Sequence, residues 1–346
     1  MNEWVDEWMD VEVKWVKSNQ SERHFLMHVN MLTQTRTILN YCCKPVAGLA
    51  LLALLAGCNT PPRLPESPVL PPVVQPVPPV VEVPRRPPRL GLALGGGAAR
   101  GFAHVGVIQV LEQNGIRPDL VVGTSAGSLV AALYASGKNG AELERVALAM
   151  DESTLTDWSL PIMGRGLLLG DALARYVRQA VDGRVIERMT LPLGILATDL
   201  GNGNGVLFQR GDTAQAVRAS SAVPGVFTPV SIAGRDYVDG GLVAPVPVSQ
   251  ARAMGAEVVL AVDISSDPQG SDANGVLKVL LQTTSIMGQS INRHELAGAD
   301  VVLRPALSGV GSADFTARRR SIEAGRAAML AALPKLRAEM AKLRPK

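Results

Sequence analysis

The chain has 346 residues, room for one large domain or two small ones, with 47% hydrophobic and 19% charged residues and a formal net charge of +3. Such a composition belongs to a globular protein with a sizeable core. So slight a charge, without zinc-type Cys/His spacing or an aromatic-rich basic repeat, argues against nucleic acid as a partner.

The first thirty residues set Trp4, Trp8 and Trp15 among acidic side chains. They precede what reads as an export signal, so residues 1–30 are expected to be a non-native extension, with translation starting at Met31. Arg36 and Lys44 lead into the apolar residues 46–56, and the run closes on Leu55-Ala56-Gly57-Cys58. This is the n-region, h-region and small-residue cleavage site of a signal peptide. A run of about eleven apolar residues is too short for a permanent span, which takes roughly 20. The Leu-Ala-Gly-Cys ending resembles the lipobox of bacterial lipoproteins. That resemblance implies a signal peptide over 31–57, lipidation of Cys58 as the mature N-terminus, and a membrane anchor there. Residue 59 is Asn rather than Asp, which implies the outer membrane, facing the periplasm. Cys42 and Cys43 would leave with the signal, so no disulfide is expected. Residues 58–89 are dense in proline and read as an extended, semi-rigid tether.

After Arg89 the composition changes to a βα rhythm, and the main domain is expected over 90–305. Residues 90–94 form an apolar run that stops at Gly95-Gly96-Gly97. A helical pattern through Val105, Ile108, Val110 and Leu111 follows, ending at Asn114-Gly115. Residues 120–122 read as a short buried strand that turns at Gly123 into a second helix carrying Leu129, Val130, Leu133 and Tyr134, ending near Gly137. Two successive βα units imply a parallel sheet. Further strands are expected at 193–197, 206–209, 236–238, 258–264 and 301–303, and helices at 171–181, 248–254 and 277–296. The fold class is α/β: a single domain with a mostly parallel central sheet flanked by helices. Residues 201–205 read as a mobile surface loop. Residues 306–346 are expected to form a C-terminal helical segment, a helix or helix pair broken at Pro334, with Ile322, Met329, Leu330, Leu333, Leu336, Met340 and Leu343 near one face. Its basic residues, including those at 318–320, read as a solvated outer face.

The pentapeptide Gly123-Thr124-Ser125-Ala126-Gly127 carries little weight alone, since chance supplies on the order of 0.2 such GxSxG copies in a chain this rich in glycine. Its context adds the weight. Ser125 lies between a buried strand and a helix, the strand–turn–helix setting of a nucleophile elbow, and the helix N-terminus favours negative charge developing there. The loop Gly95-Gly96-Gly97-Ala98-Ala99-Arg100-Gly101 places Arg100 where a dinucleotide fingerprint needs its third glycine, and it lacks the Lys-Ser/Thr pair of a phosphate loop. Beside a serine nucleophile, its backbone amides read instead as an oxyanion hole.

A serine nucleophile needs a base. In the processed chain only His104 and His294 are available, one at the start of the first helix and the other late in an inferred helix. Asp239, followed by Gly240 and Gly241, ends a strand and is the alternative base. Asp199 and Asp263 are rivals to it.

These pieces resemble the patatin-like phospholipase family, in its bacterial branch related to neuropathy target esterase. The likeness runs from about residue 89 to 305. It is carried by 95–101, Gly123-Thr124-Ser125-Ala126-Gly127, Ala197-Thr198-Asp199-Leu200, 217–227 and Asp239-Gly240-Gly241. It implies a Ser-Asp dyad acting on lipid or phospholipid esters without metal or cofactor. Ser125 would be the nucleophile and Asp239 the base, with the glycine-loop amides of Gly95, Gly96, Gly97, Ala98 and Gly101 as oxyanion donors and Arg100 as a further donor. Two alternatives stand beside it. One is an α/β-hydrolase triad of Ser125, Asp263 and His294 in the right chain order. The other is a catalytically silent lipid-binding lipoprotein.

Overall fold

The apolar run after Arg89 is the strand β1 (Leu90–Leu94), buried along its whole length. It stands near the middle of the sheet in a computed structural model that describes residues 86–150, 157, 166–268, 274–311 and 313–343. The signal segment, Cys58 and nearly all of the tether lie outside those residues.

A short 3-10 turn (Ala98–Phe102) leads from β1 into α1 (Ala103–Gln113), then β2 (Leu120–Thr124), α2 (Ala126–Ala135) and α3 (Gly140–Ala149). Next come β3 (Gly166–Leu168), α4 (Asp171–Ala180), β4 (Leu193–Asp199), β5 (Gly205–Phe208), α5 (Thr213–Ser220), β6 (Gly225–Phe227), β7 (Val230–Ile232) and β8 (Arg235–Asp239). The chain continues through α6 (Val248–Ala253), β9 (Val258–Val262), α7 (Val276–Glu295), β10 (Val301–Leu303) and α8 (Arg318–Lys342).

The main sheet runs β10-β9-β1-β2-β4-β8-β7, with β5 also on β4. Its β10, β9, β1, β2 and β4 are mutually parallel, while β5, β7 and β8 join antiparallel. β1, β2, β4 and β9 are buried throughout, as strands covered by helices on both faces must be, and this explains their unbroken apolar sequences. β3 and β6 form a small separate pair.

Two expectations for the C-terminus are corrected. Residues 318–342 form one helix with Pro334 inside it. Leu330 and Pro334 are both exposed, so the carbonyl that proline leaves without a donor is open to solvent. Meanwhile Ile322, Met329, Leu333 and Leu336 are buried in the main core. The helix packs on the rest of the domain. It crosses α1 so closely that a methyl on Gly106 would overlap the Ile322 carbonyl, and one on Gly325 the Ala103 carbonyl. At the same crossing Arg326 Nε donates to Gln109 Oε1 at 2.7 Å and its Nη2 pairs with Glu144 at 3.1 Å, joining α1, α3 and α8. Arg318 is not simply solvated, because its guanidinium stands 6.0 Å over the Phe102 ring.

Candidate active site

Ser125 occupies the turn between β2 and α2 with φ 53° and ψ −124°, a conformation that costs a non-glycine residue on the order of 1–3 kcal/mol. Its surroundings fix it there. The Ser125 N–H donates to Ser220 Oγ at 2.9 Å, and the Ser220 hydroxyl donates to the Leu196 carbonyl at 2.5 Å. The Ser125 carbonyl accepts the Ser128 N–H at 2.8 Å and the Ser128 hydroxyl at 2.6 Å. Gly123 and Gly127 allow the close approach this requires, since a methyl on Gly123 would overlap the Gly127 carbonyl and one on Gly127 the Leu94 carbonyl.

Asp239 arrives from β8. β4 pairs with β2 up to Leu196, opposite Thr124, and with β8 from Ala197, opposite Asp239. The end of β2 and the carboxylate therefore meet adjacent positions of one strand. Asp239 Oδ1 accepts the Gly241 N–H at 2.6 Å, an interaction native to an Asp-x-Gly turn. The Thr198 hydroxyl donates to the Asp239 carbonyl at 2.8 Å, and the Asp239 N–H to the Ala222 carbonyl at 3.0 Å.

Burial pushes the Asp239 carboxyl up to about 6, although the Ser125 hydroxyl and the Gly241 N–H both pull it down. Oδ2 is buried with no hydrogen bond of full geometry, so the contact with Ser125 is looser than a formed bond. Such slack is common in an unliganded acid–base pair. A carboxyl in this range is ionised at neutral pH yet basic enough to take a proton.

In the glycine loop the set of candidate donors is narrower than the motif implied. The Gly95 N–H is committed to the Val262 carbonyl at 3.0 Å and the Gly96 N–H to the Pro245 carbonyl at 2.9 Å. Arg100 donates from Nη2 to the Ser265 carbonyl at 2.7 Å and does not line the cavity in front of Ser125. It ties the loop to the segment after β9. Gly101 lines the cavity, and a methyl there would stand 2.9 Å from Ala126 Cβ. Gly97 and Ala98 line the cavity, and their amides donate to no group among the described residues. Gly96 lies against Ser125 itself, where an added methyl would sit 3.1 Å from Ser125 Cβ.

The cavity holds about 540 Å³ and includes Ser125 and Asp239 in its lining. Its walls are apolar. α2 contributes Ala126, Leu129, Val130 and Leu133, and α3 with its cap contributes Leu143, Val146, Ala147 and Met150. Each set is spaced i, i+3, i+4, i+7, one stripe on each helix. Leu281, Thr284, Ser285 and Gly288 of α7 close another side. Such a chamber suits a long apolar chain attached to a group held at Ser125.

The rival assignments are not assembled. His294 is exposed, and its Nδ1 lies 3.2 Å from the Ser290 carbonyl of its own helix. Asp263 accepts the Ser265 N–H at 3.1 Å and pairs with Arg304 at 3.2 Å. Asp199 binds the Gly201 N–H and Arg235, which supports the loop after β4. His104 is fully buried, donates from Nε2 to the Gly95 carbonyl at 2.8 Å, and is held down to about 4 by that burial. It braces the glycine loop. Neither histidine lines the cavity.

Sequence reasoning missed Ser220, Thr198 and the role of α7 as a cavity wall. Ser220 and Thr198 both lie in motifs that carried the family likeness, but nothing in the sequence shows that their hydroxyls brace Ser125 and Asp239.

Residues 92–252 match the patatin-like phospholipase family. The chain is 36% identical over 184 residues to an uncharacterised NTE-family protein of Mycobacterium tuberculosis, covering 53% of this chain and 51% of that one. It is 32% identical over 188 residues to the mouse patatin-like phospholipase domain-containing protein 6, covering 52% of this chain and 14% of that one. VipD of Legionella pneumophila, a solved structure, overlays with a TM-score of 0.48 at 13% identity, covering 73% of this chain and 67% of that one. The chain spans about half the length or less of the curated relatives it matches. Over residues 92–252 it is similar to patatin-like phospholipase domains, and over about half its length to NTE-family proteins.

Proposed function

We propose that this chain hydrolyses carboxylic esters of phospholipids or other lipids through an acyl-enzyme on Ser125, with Asp239 as the base. The observation that carries the proposal is a strained serine beside a buried carboxyl raised to about 6, both on an apolar cavity of about 540 Å³.

Ser125 Oγ attacks the ester carbonyl carbon while Asp239 takes its proton. The carbonyl oxygen becomes an oxyanion facing the free amides of Gly97 and Ala98 and the N-terminus of α2. Collapse breaks the bond to the alcohol, which leaves with the proton held on Asp239. Water then attacks the acyl-serine and gives a proton to Asp239. When this second intermediate collapses, the fatty acid departs and the proton returns to Ser125. Each half-reaction uses the carboxylate once as base and once as acid.

The test is turnover of short and long acyl esters and of phospholipid by wild type and by the Ser125→Ala, Asp239→Asn and His294→Ala chains. Loss in the first two with His294→Ala near wild type supports the dyad. Loss in His294→Ala with activity kept in Asp239→Asn assigns an ordinary triad, and an inert wild type assigns a silent lipid-binding protein.

The export reading belongs to the same proposal. Residues 46–58 support lipidation at Cys58 and a place in the outer membrane facing the periplasm. Radiolabelled palmitate incorporated by the wild-type chain and absent from Cys58→Ala is the expected result. Equal labelling of both would overturn it. Intact mass of the unprocessed protein decides whether translation starts at Met31.

A further inference from the structure

α7 is twenty residues long, yet Asn292 is its one buried residue. Its inner stripe lines the cavity through Leu281, Thr284, Ser285 and Gly288. The stripe at the opposite angle holds Val276, Val279, Leu280, Thr283, Ile286, Met287 and Ser290, with no charge across four turns. Val276 is 89% exposed, Met287 55% and Ile286 52%. A helix that merely faced water would carry charged side chains there.

A second segment extends the same surface. Gly225 of β6 lies so near Leu280 that an added methyl would stand 2.9 Å from its Cδ2, and Gly225 registers with Gly166 of β3. The residues that follow include Leu167 and Leu169, both exposed, while Leu168 between them lines the cavity. Apolar residues from two distant parts of the chain thus meet at one side of the cavity. Beside them the Arg218 guanidinium donates to the Leu169 carbonyl at 2.8 Å and shares a groove with Arg175 and Arg178. Arg218 pairs with Asp171 at 3.2 Å and Arg178 with Asp212 at 2.9 Å. Arg175 makes no ion pair among the described residues, so the groove is left net positive.

We infer that the outer face of α7, together with Leu167 and Leu169, docks on an anionic phospholipid bilayer and turns the cavity toward it. An uncharged helical face inserts at the headgroup level, and arginines at its edge pair with anionic headgroups. The inference deepens the lipid-ester reading of the cavity and rests on it for the purpose of docking, but the docking itself is measured separately.

Hydrogen exchange of the full-length Ser125→Ala chain is followed with and without vesicles of phosphatidylcholine and phosphatidylglycerol. Amides of 276–290 and 166–170 are expected to slow by about fivefold, less with phosphatidylcholine alone. Reading exchange at those residues separates this contact from membrane capture by the apolar segment 46–56. Introducing Val279→Asp with Met287→Asp is expected to abolish the slowing, and Arg175→Glu to weaken it on anionic vesicles. In the active chain, the paired aspartates should cut turnover of vesicle lipid about tenfold while a short soluble ester is cleaved as before. Unchanged exchange with vesicles overturns the inference. So does slowing that appears with protein concentration alone, which would assign the face to a second copy, and so does equal loss on vesicle and soluble substrate. Because the exchange measurement uses an inactive chain, its outcome does not depend on ester hydrolysis.

Discussion

Ser125 and Asp239 reach one rim because Thr124 and Asp239 register against consecutive residues of β4, Leu196 and Ala197. The antiparallel β8 thereby delivers its last residue where the parallel β2 ends. A slip of one residue in β8 would turn the carboxylate to the other face of the sheet.

The position of Asp239 in the core predicts a pH dependence with a defined sign. With Asp239 as the proposed base, kcat/KM should fall as pH drops through about 6, the value to which burial raises this group. Stability runs in the opposite direction. An unfolded aspartate titrates near 3.9, so the folded state holds its proton more tightly, and a destabilising contribution grows from about pH 4 to about pH 6 and then stays constant. Asp239→Asn should therefore be inactive and more stable than wild type above pH 6, by on the order of 2 kcal/mol, with no gain below pH 4. Denaturant titrations at pH 4 and pH 7.5 check both limits.

The backbone of Ser125 stores strain that a glycine would release. Ser125→Ala keeps a Cβ at φ 53°, whereas Ser125→Gly does not, so the glycine variant should be more stable by about 1 kcal/mol. Both should be inactive. Equal melting temperatures for the two would deny the strain.

The crossing of α1 and α8 has no room for a side chain at Gly106 or Gly325. Either glycine changed to alanine should destabilise the whole domain by about 3 kcal/mol, seen as a single cooperative unfolding transition at lower denaturant. A second, separate transition confined to the C-terminal helix would mean that it folds apart from the sheet.

In the proposed function the apolar chamber between the paired stripes of α2 and α3, which runs from Ala126 to Leu133, about 10 Å of helix, takes the acyl chain. Ala147 is buried in its wall. Ala147→Leu should lower the ratio of long-chain to short-chain ester turnover by about tenfold, and a series of acyl lengths measures this directly. An unchanged ratio would place the acyl chain elsewhere.

Much of the architecture was legible because the sheet is covered on both faces. β1, β2, β4 and β9 are buried throughout, so they appear in the sequence as apolar runs between turn residues. The parallel order of the first two βα units followed from their spacing. α3 escaped notice although its start is marked, since Asn139 and Glu142 form a capping box that a search for apolar periodicity passes over. The short β3, β6 and β7 are three residues each and leave no periodic trace. Pro334 reads as a break only if the carbonyl it frees is buried, and burial is a tertiary fact. At the site, glycine spacing marked the loop but not which amides are free. That depends on Val262 and Pro245, more than a hundred residues away in the chain, which take the Gly95 and Gly96 amides.

The central claim is that Ser125, served by Asp239, forms the acyl-enzyme. Intact mass of the full chain after reaction with a p-nitrophenyl alkylphosphonate tests it most directly. The account predicts one phosphonyl adduct per chain on the peptide containing Ser125. It predicts no adduct in Ser125→Ala and slower labelling, by about a hundredfold or more, in Asp239→Asn. An adduct on another residue, or labelling of Asp239→Asn at the wild-type rate, would contradict it.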